Sequence, residues 1–332
     1  MTRIVFRIIL SLVLSLHVGD IAGQSNYMVV TSSDGRNVSF RMSDIDSVWF
    51  SDDDKYDSDD DVLKILAIGN SFTEDGTEYL SSILNNAGIP TDKLIVCRYI
   101  LGGSSLKTWS DLADNNGTAK TYVMFGSDKP YEYHQSYIIQ DVMEYDWDIV
   151  VLQQLSGSYY DLTTYEPYLS NMMSYVRRHV KGYPRLAWQM TWSRSSSAGA
   201  GDIYGLTGWE NNVTATKYLM ENYGFDILIP SGTAMQNMRL TSECDSAEFT
   251  RDGQHAGYGV GRYLVAMTWY ASLIAPYFNK NIYDINCLYE VKDYEKSWST
   301  NETKDVDENN LPLIKDCVNK AILSPFKLNT TN

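Results

Sequence analysis

The sequence is poor in the residues that usually build metal sites. It has only four histidines and four cysteines among 332 residues, and the cysteines form no CxxC pair and no Cys/His cluster. Such spacings argue against structural zinc. The acidic run "SDDDKYDSDDD" at residues 51–61 lacks the glycine that an EF-hand calcium loop needs at its turn. We therefore expect no bound metal.

Basic residues and long apolar runs are also scarce. The chain has 27 Lys and Arg against 42 Asp and Glu, which gives a formal net charge of −15 at pH 7. Repulsion of this size disfavours nucleic acid and anionic membrane surfaces as partners. Beyond the first 23 residues, no apolar run reaches the ~18 residues of a membrane helix. A hydrophobic content of 44% nevertheless excludes a wholly disordered chain.

The first residues have the layout of a secretory signal peptide. Arg3 and Arg7 precede an apolar run at residues 8–18, and small residues follow as far as Gly23. This predicts cleavage near Gly23 and export to the periplasm, the cell surface or the medium. No cysteine stands near the cleavage region, which argues against an N-terminal lipid anchor.

Export would permit disulfide bonds between cysteines. Cys287 and Cys317 both lie in the C-terminal segment, so they are the first pair to consider. Cys97 lies in an apolar, strand-like run, which predicts a buried free thiol.

The pattern after the leader predicts three regions. Residues 24–50 contain two alternating apolar stretches around Asp34 and Gly35, which predicts a small β-hairpin segment. Residues 51–61 are an acidic linker, since like charges repel and no apolar side chain offers burial. Residues 62–332 form the main domain with a C-terminal extension.

The main domain alternates short buried strands with helices. The predicted strands are "LKILAIGN", "KLIVCRYI", "DIVVLQQ", "RLAWQMTW" and "DILIPSG", and the predicted helices cover residues 77–87, 165–180, 210–223 and 311–323. Alternation of this kind predicts an α/β fold with a parallel sheet covered by helices on both faces. Residues 114–146 predict an inserted hairpin. Ligands of such sheets bind beyond the carboxyl ends of the strands.

A serine stands at the first of these strand ends. In "ILAIGNSFTEDG", residues 65–76, Ser71 follows the strand directly, so its hydroxyl lies at the carboxyl edge of the sheet. Gly69 permits a tight turn there. The pattern is compatible with a nucleophile, and equally with a serine that caps the following helix.

An acidic residue and a histidine stand together near the end of the domain. In "FTRDGQHAGYGVG", Asp252 and His255 are three residues apart, so on one turn a carboxylate meets an imidazole N–H. A surface Asp/His pair is the alternative. The chain order, with a strand-end serine first and Asp-x-x-His shortly before a late helix, favours a catalytic site.

These motifs resemble those of the SGNH (GDSL-like) hydrolases. "GNSF" is similar to the first block of that superfamily, with Asn70 where the GDSL spelling has Asp, and "DGQH" is similar to the last block. "YILGGSS" resembles the second block, with Gly103 as its glycine. The resemblance covers about residues 63–273 and is nearest to an uncharacterised branch in exported bacterial proteins. It implies a flavodoxin-like three-layer sandwich with a central parallel sheet.

The resemblance also implies roles for the motif residues. Ser71 would be the nucleophile, His255 its general base, and Asp252 the carboxylate that orients the imidazole. The backbone N–H groups of Ser71 and Gly103 would bind the oxyanion. No metal or organic cofactor is implied.

One block departs from the superfamily pattern. The third block normally supplies an Asn amide to the oxyanion, but residues 148–159 read "DIVVLQQLSGSY" and contain no Asn. Gln153 or Gln154 is the candidate replacement, and Gln154 is the expected oxyanion donor. A purely structural glutamine is the alternative.

The expected function is removal of acetyl or other short acyl groups from carbohydrate. Four tryptophans near strand ends and loops are candidate platforms for sugar rings, namely Trp109, Trp188, Trp192 and Trp209. Asn70, Gln153 and Trp192 are the candidate substrate contacts. The alternatives are a non-catalytic glycan-binding module on the same scaffold, suggested by the missing Asn, and a phospholipase or peptidoglycan esterase.

Overall fold

The computed structural model describes residues 61–125 and 132–329, together with short strands at residues 6–7, 27–31, 37–41 and 50–51. The chain divides into two compact units, Met1–Asp59 and Asp60–Asn332. Apart from those strand residues, the predicted signal peptide and acidic linker lie outside the described residues. Export and cleavage stay predictions.

The first unit contains two short strand pairs. Strand β1 (Phe6–Arg7) pairs in parallel with β4 (Phe50–Ser51). Strand β2 (Tyr27–Thr31) pairs antiparallel with β3 (Asn37–Arg41), with Val29 opposite Ser39. The antiparallel pair lies where the sequence predicts a hairpin.

A mixed seven-stranded sheet forms the centre of the second unit. Its strands are β5 (Leu63–Gly69), β6 (Leu94–Ile100), β7 (Thr118–Phe125), β8 (Glu132–Ile138), β9 (Ile149–Leu152), β10 (Arg185–Gln189) and β11 (Ile227–Ile229). Their spatial order is β11-β10-β9-β5-β6-β7-β8. The five strands predicted from the sequence are parallel, in the flavodoxin-like order that reverses at β5. The predicted hairpin, β7 and β8, adds two antiparallel strands at one edge.

Helices cover both faces of this sheet. They are α1 (Ser71–Thr77), α2 (Leu80–Asn86), α3 (Leu106–Asp114), α4 (Ile139–Met143), α5 (Tyr168–His179), α6 (Gly205–Asn222), α7 (Ser231–Arg239), α8 (Val260–Trp269), α9 (Asp293–Trp298) and α10 (Leu311–Leu323). Single turns of 3₁₀-helix lie at Leu162–Thr164, Ser196–Ala198 and Ile282–Asp284, and a π-helical turn at Tyr270–Ile274 extends α8. The predicted α/β three-layer fold is confirmed.

The side chains of β5 show why the sheet needs cover on both faces. All seven residues of the strand are buried. Because successive side chains point to opposite faces, Ile65 and Ala67 join the core under α1, α2, α7, α8 and α10, whereas Leu66 and Ile68 join the core under α3 to α6. A continuous apolar run is therefore the expected pattern for this strand.

The first helix begins earlier than the sequence pattern predicts. We expected a helix from Thr77, but α1 already begins at Ser71, where the Asn70 side chain caps it by accepting a hydrogen bond from the Phe72 N–H. Gly76 lies inside this helix rather than in a turn. A Cβ at Gly76 would lie 2.4 Å from the indole nitrogen of Trp269, so the glycine allows α1 to pack closely on α8.

The predicted disulfide is wrong. All four cysteines are free. Cys317 is buried in the core, whereas the Cys287 sulfur lies 3.1 Å from the Tyr263 hydroxyl. The buried free thiol predicted at Cys97 is confirmed, and burial raises its pKa to about 12.

Within the residues that the structure describes, no helix is both long enough and apolar enough to cross a bilayer.

The end of β5 generates a stability prediction. A Cβ at Gly69 would lie 2.0 Å from the Thr73 hydroxyl, which is buried and donates to Gln153. We expect Gly69→Ala to lower the free energy of unfolding by about 1–3 kcal/mol, since this packed site cannot relax freely. Urea denaturation measures the loss.

Gly102→Ala is the control, because a Cβ there meets no atom within 4 Å. It should stay within about 0.5 kcal/mol of the parent. Equal stability of the two variants would show that the contact at Gly69 is unimportant.

Candidate active site

Ser71 lies where strand β5 passes into helix α1. The strand ends at Gly69, Asn70 caps the helix, and Ser71 is its first residue. Strand β5 has β6 on one side and β9 on the other, so Ser71 stands at the reversal in strand order, outside the carboxyl edge of the sheet. It is partly exposed, which leaves its hydroxyl accessible.

The structure brings Ser71, His255 and Asp252 together in one hydrogen-bonded chain. The Ser71 Oγ lies 2.9 Å from His255 Nε2, across 184 positions of sequence. On the other side of the ring, His255 Nδ1 lies 2.7 Å from Asp252 Oδ2. A carboxylate only accepts hydrogen bonds, so Nδ1 carries the proton and Nε2 is left to accept from the serine hydroxyl.

Asp252 is held in place by its own turn. Its second oxygen, Oδ1, accepts the backbone N–H groups of Gln254 at 3.0 Å and His255 at 2.7 Å. Burial works to raise the pKa of Asp252, but hydrogen bonds from the His255 ring and from these N–H groups outweigh it, so the pKa lies well below its usual range. The group is a carboxylate throughout the neutral and mildly acidic range.

Two backbone N–H groups beside Ser71 are available for an anion. Gly103 has φ +68°, which favours glycine, and a Cβ there would meet no atom within 4 Å. Among the described residues, neither the Ser71 N–H nor the Gly103 N–H donates a hydrogen bond to another group. The Asn70 amide joins the two loops by donating to the Ser104 carbonyl at 2.8 Å. The role of these two N–H groups as oxyanion donors stays a prediction.

Gln154 does not fit the expected role of an oxyanion donor. Its amide nitrogen donates to the carbonyl and hydroxyl of Thr164, and its amide oxygen accepts the backbone N–H groups of Leu106 and Leu155. Both ends of the buried amide are therefore occupied by loop contacts. Gln154 connects the loops after β6 and β9. It therefore has the purely structural role that the sequence left open as the alternative to an oxyanion donor.

Asn70 and Gln153 form a buried amide network rather than a substrate surface. The Gln153 amide nitrogen donates to Asn70 Oδ1 at 2.7 Å, and its oxygen accepts the Thr73 hydroxyl at 2.8 Å. Both side chains are buried. They fix the turn that carries Ser71, so neither is free to contact substrate as predicted.

The four tryptophans predicted to stack on sugars are buried. They are Trp109, Trp188, Trp192 and Trp209. Trp192 instead contacts residues next to Ser71 and His255. Its ring stacks on Phe72 with centroids 4.2 Å apart, and its indole N–H donates to the Gln254 carbonyl at 2.9 Å. These rings pack inside the protein, so the prediction that they form platforms for sugar rings is wrong.

The sequence pattern missed one buried carboxylate that holds the site together. Asp75 lies one turn after Ser71 on α1 and is fully buried. It accepts the Ala256 N–H at 3.0 Å, an Arg251 Nη at 2.7 Å and the Arg262 Nε at 2.9 Å. Helix α1 is thereby joined to the loop that carries His255.

The sequence feature that could have predicted this contact is the pair of arginines on either side of the Asp-x-x-His motif. Arg251 also donates to the Ala256 carbonyl, and both guanidinium groups lie over the Tyr258 ring. Although burial disfavours the charged form, the Asp75 carboxylate holds the pKa of Arg262 above its usual value. Two fixed cations in an acidic chain indicate a buried anion nearby.

Residues 64–290 match the model of DUF4886, a domain of unknown function. The chain is similar to a crystal structure of a DUF4886 family protein from Bacteroides uniformis ATCC 8492, with 25% identity and a TM-score of 0.68. That similarity covers 81% of this chain and 98% of the other. No curated protein matches the chain.

The Asp75 contacts predict a large loss of stability in Asp75→Asn. The substitution leaves two half-buried guanidinium groups without a counter-charge, which typically costs about 3–5 kcal/mol of folding free energy. Chemical denaturation measures it.

Asp111→Asn is the matched control, since Asp111 pairs with Lys107 and both side chains are about half exposed. We expect that variant within about 0.5 kcal/mol of the parent. Similar losses in the two variants would contradict a special role for Asp75.

Proposed function

For a chain that belongs to the DUF4886 family, whose description names no function, we propose that this protein is a serine ester hydrolase. The proposal rests on the hydrogen-bonded chain from Ser71 through His255 to Asp252. An intact chain of this kind supports catalysis over carbohydrate binding alone, because a binding module has no need for an activated hydroxyl.

The first step is acylation of Ser71. As the Ser71 oxygen attacks the ester carbonyl, its proton passes to His255 Nε2, which has no proton of its own to begin with. The imidazolium that forms is stabilised by the Asp252 carboxylate at Nδ1. The negative carbonyl oxygen is bound by the N–H groups of Ser71 and Gly103. The imidazolium then donates its proton to the leaving alcohol.

The second step is hydrolysis of the acyl-enzyme. Water gives a proton to His255 Nε2 and attacks the acyl carbonyl, and the Ser71 oxygen leaves with the proton returned by the imidazolium. The free acid departs and the starting hydrogen-bonded chain is restored. In this proposal Ser71 is the nucleophile, His255 is the base, and the N–H groups of Ser71 and Gly103 are the oxyanion donors.

Carbohydrate is the substrate class that we propose for this esterase. Tyr294 and Trp298 on α9 are exposed, the tryptophan to 68%, and their rings are 5.1 Å apart. The next residue, Ser299, donates its hydroxyl to the carbonyl of Arg251, which directly precedes Asp252. An aromatic pair beside the catalytic loop suits the faces of sugar rings. A short acyl group such as acetyl completes the proposed substrate.

Removal of the nucleophile tests the proposal. Ser71→Ala should lower kcat for a chromogenic acetyl ester by about 10⁴-fold or more, because no other group replaces the attacking oxygen. Initial rates at pH 8 measure this. Ser170→Ala is the control, since Ser170 is an exposed serine whose hydroxyl donates to Glu166 on the surface.

Ser170→Ala should keep the parent rate, and a fluorophosphonate probe should label the parent and Ser170→Ala but not Ser71→Ala. Absence of turnover in the parent above Ser71→Ala would refute the esterase.

The acid limb of the pH profile provides a second test. Because hydrogen bonds hold the pKa of Asp252 below its usual range, Asp252 takes up no proton as the pH falls from 9 to 3, where an aspartate of ordinary pKa would be largely protonated. Only the imidazole must lose its proton to act as base. We expect kcat/KM to fall towards low pH along a one-proton curve in a stopped-flow or buffered rate series. A two-proton slope would show that Asp252 titrates as well.

A further inference from the structure

Arg194 stands beside the proposed active site, and among the described residues only its backbone forms hydrogen bonds, with Ile203 and Gly205. It lies in the loop after β10 and is half-buried. Its Nε is shielded from solvent without an acceptor, and among the described residues its guanidinium forms no ion pair. The contact that the structure does give it is the Tyr204 ring, 5.9 Å from the guanidinium carbon.

Four other described arginines, two buried and two partly buried, are paired with carboxylates. Arg98 lies 2.7 Å from Glu78, Arg239 lies 3.6 Å from Glu248, and Asp75 serves the pair next to the catalytic loop. A half-buried charge without a partner costs free energy. In a chain with 42 acidic residues a counter-charge is easily supplied, so its lack at Arg194 indicates a ligand that brings the negative charge.

The loop of Arg194 lies against the catalytic loop. The N–H of the next residue, Ser195, donates to the Gly253 carbonyl at 2.9 Å, and Gly253 follows Asp252. Two residues before Arg194, the Trp192 ring stacks on Phe72, the neighbour of the nucleophile. The backbone on both sides of Arg194 is therefore fixed to the proposed active site.

The guanidinium itself reaches the loop after β9. A Cβ at Gly157 would lie 3.8 Å from an Arg194 Nη. The residue before that glycine, Ser156, is buried and its hydroxyl has no hydrogen-bonding partner. Two unsatisfied polar side chains thus belong to adjacent loops at the carboxyl edge of the sheet, where α/β folds bind their ligands.

We propose that Arg194 binds a carboxylate of the substrate through the two Nη groups of its guanidinium, which unlike its Nε are not shielded from solvent. A planar guanidinium matches a carboxylate with two parallel hydrogen bonds. A carboxylate carries a single charge, so the protein's charge of −15 repels it less than a doubly charged phosphate. The proposal rests on the esterase function above and makes its substrate class narrower: an acyl ester of an acidic sugar.

Two matched esters test it. An acetylated methyl glucuronoside and the corresponding acetylated methyl glucoside differ only in a carboxylate against a hydroxymethyl group. The parent should hydrolyse the glucuronoside with a kcat/KM about 10- to 100-fold higher, which is the value expected for hydrogen bonds to a charged group. Acetate release measures both rates.

Substitution of Arg194 should remove this preference. Arg194→Met should lose it mainly through KM for the glucuronoside and change the glucoside rate by less than about twofold, since the neutral ester makes no ion pair. Arg194→Lys keeps the positive charge but cannot form two parallel hydrogen bonds, so it should retain part of the preference for the glucuronoside. The control is Arg185→Met. Arg185 is exposed and is the first residue of β10, whereas the loop of Arg194 follows the other end of that strand, so both rates should stay unchanged.

Binding measurements separate this proposal from the esterase function. Calorimetry with Ser71→Ala should show tighter binding of the glucuronoside, and Arg194→Met in that background should abolish the difference. If no ester is hydrolysed but this Arg194-dependent binding remains, the esterase function fails and the anion site stands. Equal binding of both glycosides, or equal loss of both rates in Arg194→Met, would overturn the proposal.

Discussion

The buried carboxylate of Asp75 is the contact on which the rest of the site depends. Ser71 and His255 come from segments 184 positions apart, so the 2.9 Å separation of their side chains must be imposed by packing between α1 and the loop before α8. Asp75 supplies that constraint through one backbone N–H and two guanidinium groups. Its burial makes the contact strong only while all three partners are present. Phe72 and Trp192 add an apolar support beneath the same loop.

Amide side chains hold the turn that carries Ser71. The Gln153 amide nitrogen donates to Asn70 Oδ1, and the Asn70 amide nitrogen donates to the Ser104 carbonyl in the loop of Gly103. These hydrogen bonds fix the Ser71 turn and the Gly103 loop relative to each other, and with them the two free N–H groups. Preorganised donors of this kind avoid reorganisation when charge develops on the carbonyl oxygen.

Much of the fold could be predicted because it depends on short-range patterns. Apolar runs identified all five parallel strands, and periodicity gave α10 its observed bounds. Asp252 and His255 were recognisable because one turn of backbone holds both. Gln154, Trp192 and the Cys287–Cys317 pair were misjudged because their contacts come from other segments of the chain: packing that spacing does not encode brings Leu106, Phe72 and Tyr263 to them. Asp75 was missed for the same reason.

The short segment after α9 belongs to the same folded domain as the turn of Asp252 and His255. Ser299, Thr300 and Asn301 donate hydrogen bonds to the carbonyls of Thr250 and Arg251, immediately before Asp252. Further on, α10 places five buried side chains in the core beside α7 and α8. The family match stops at residue 290, before either contribution. A boundary drawn there would remove the contacts that support the turn of Asp252 and His255, so the folded domain extends beyond the residues that the family model matches.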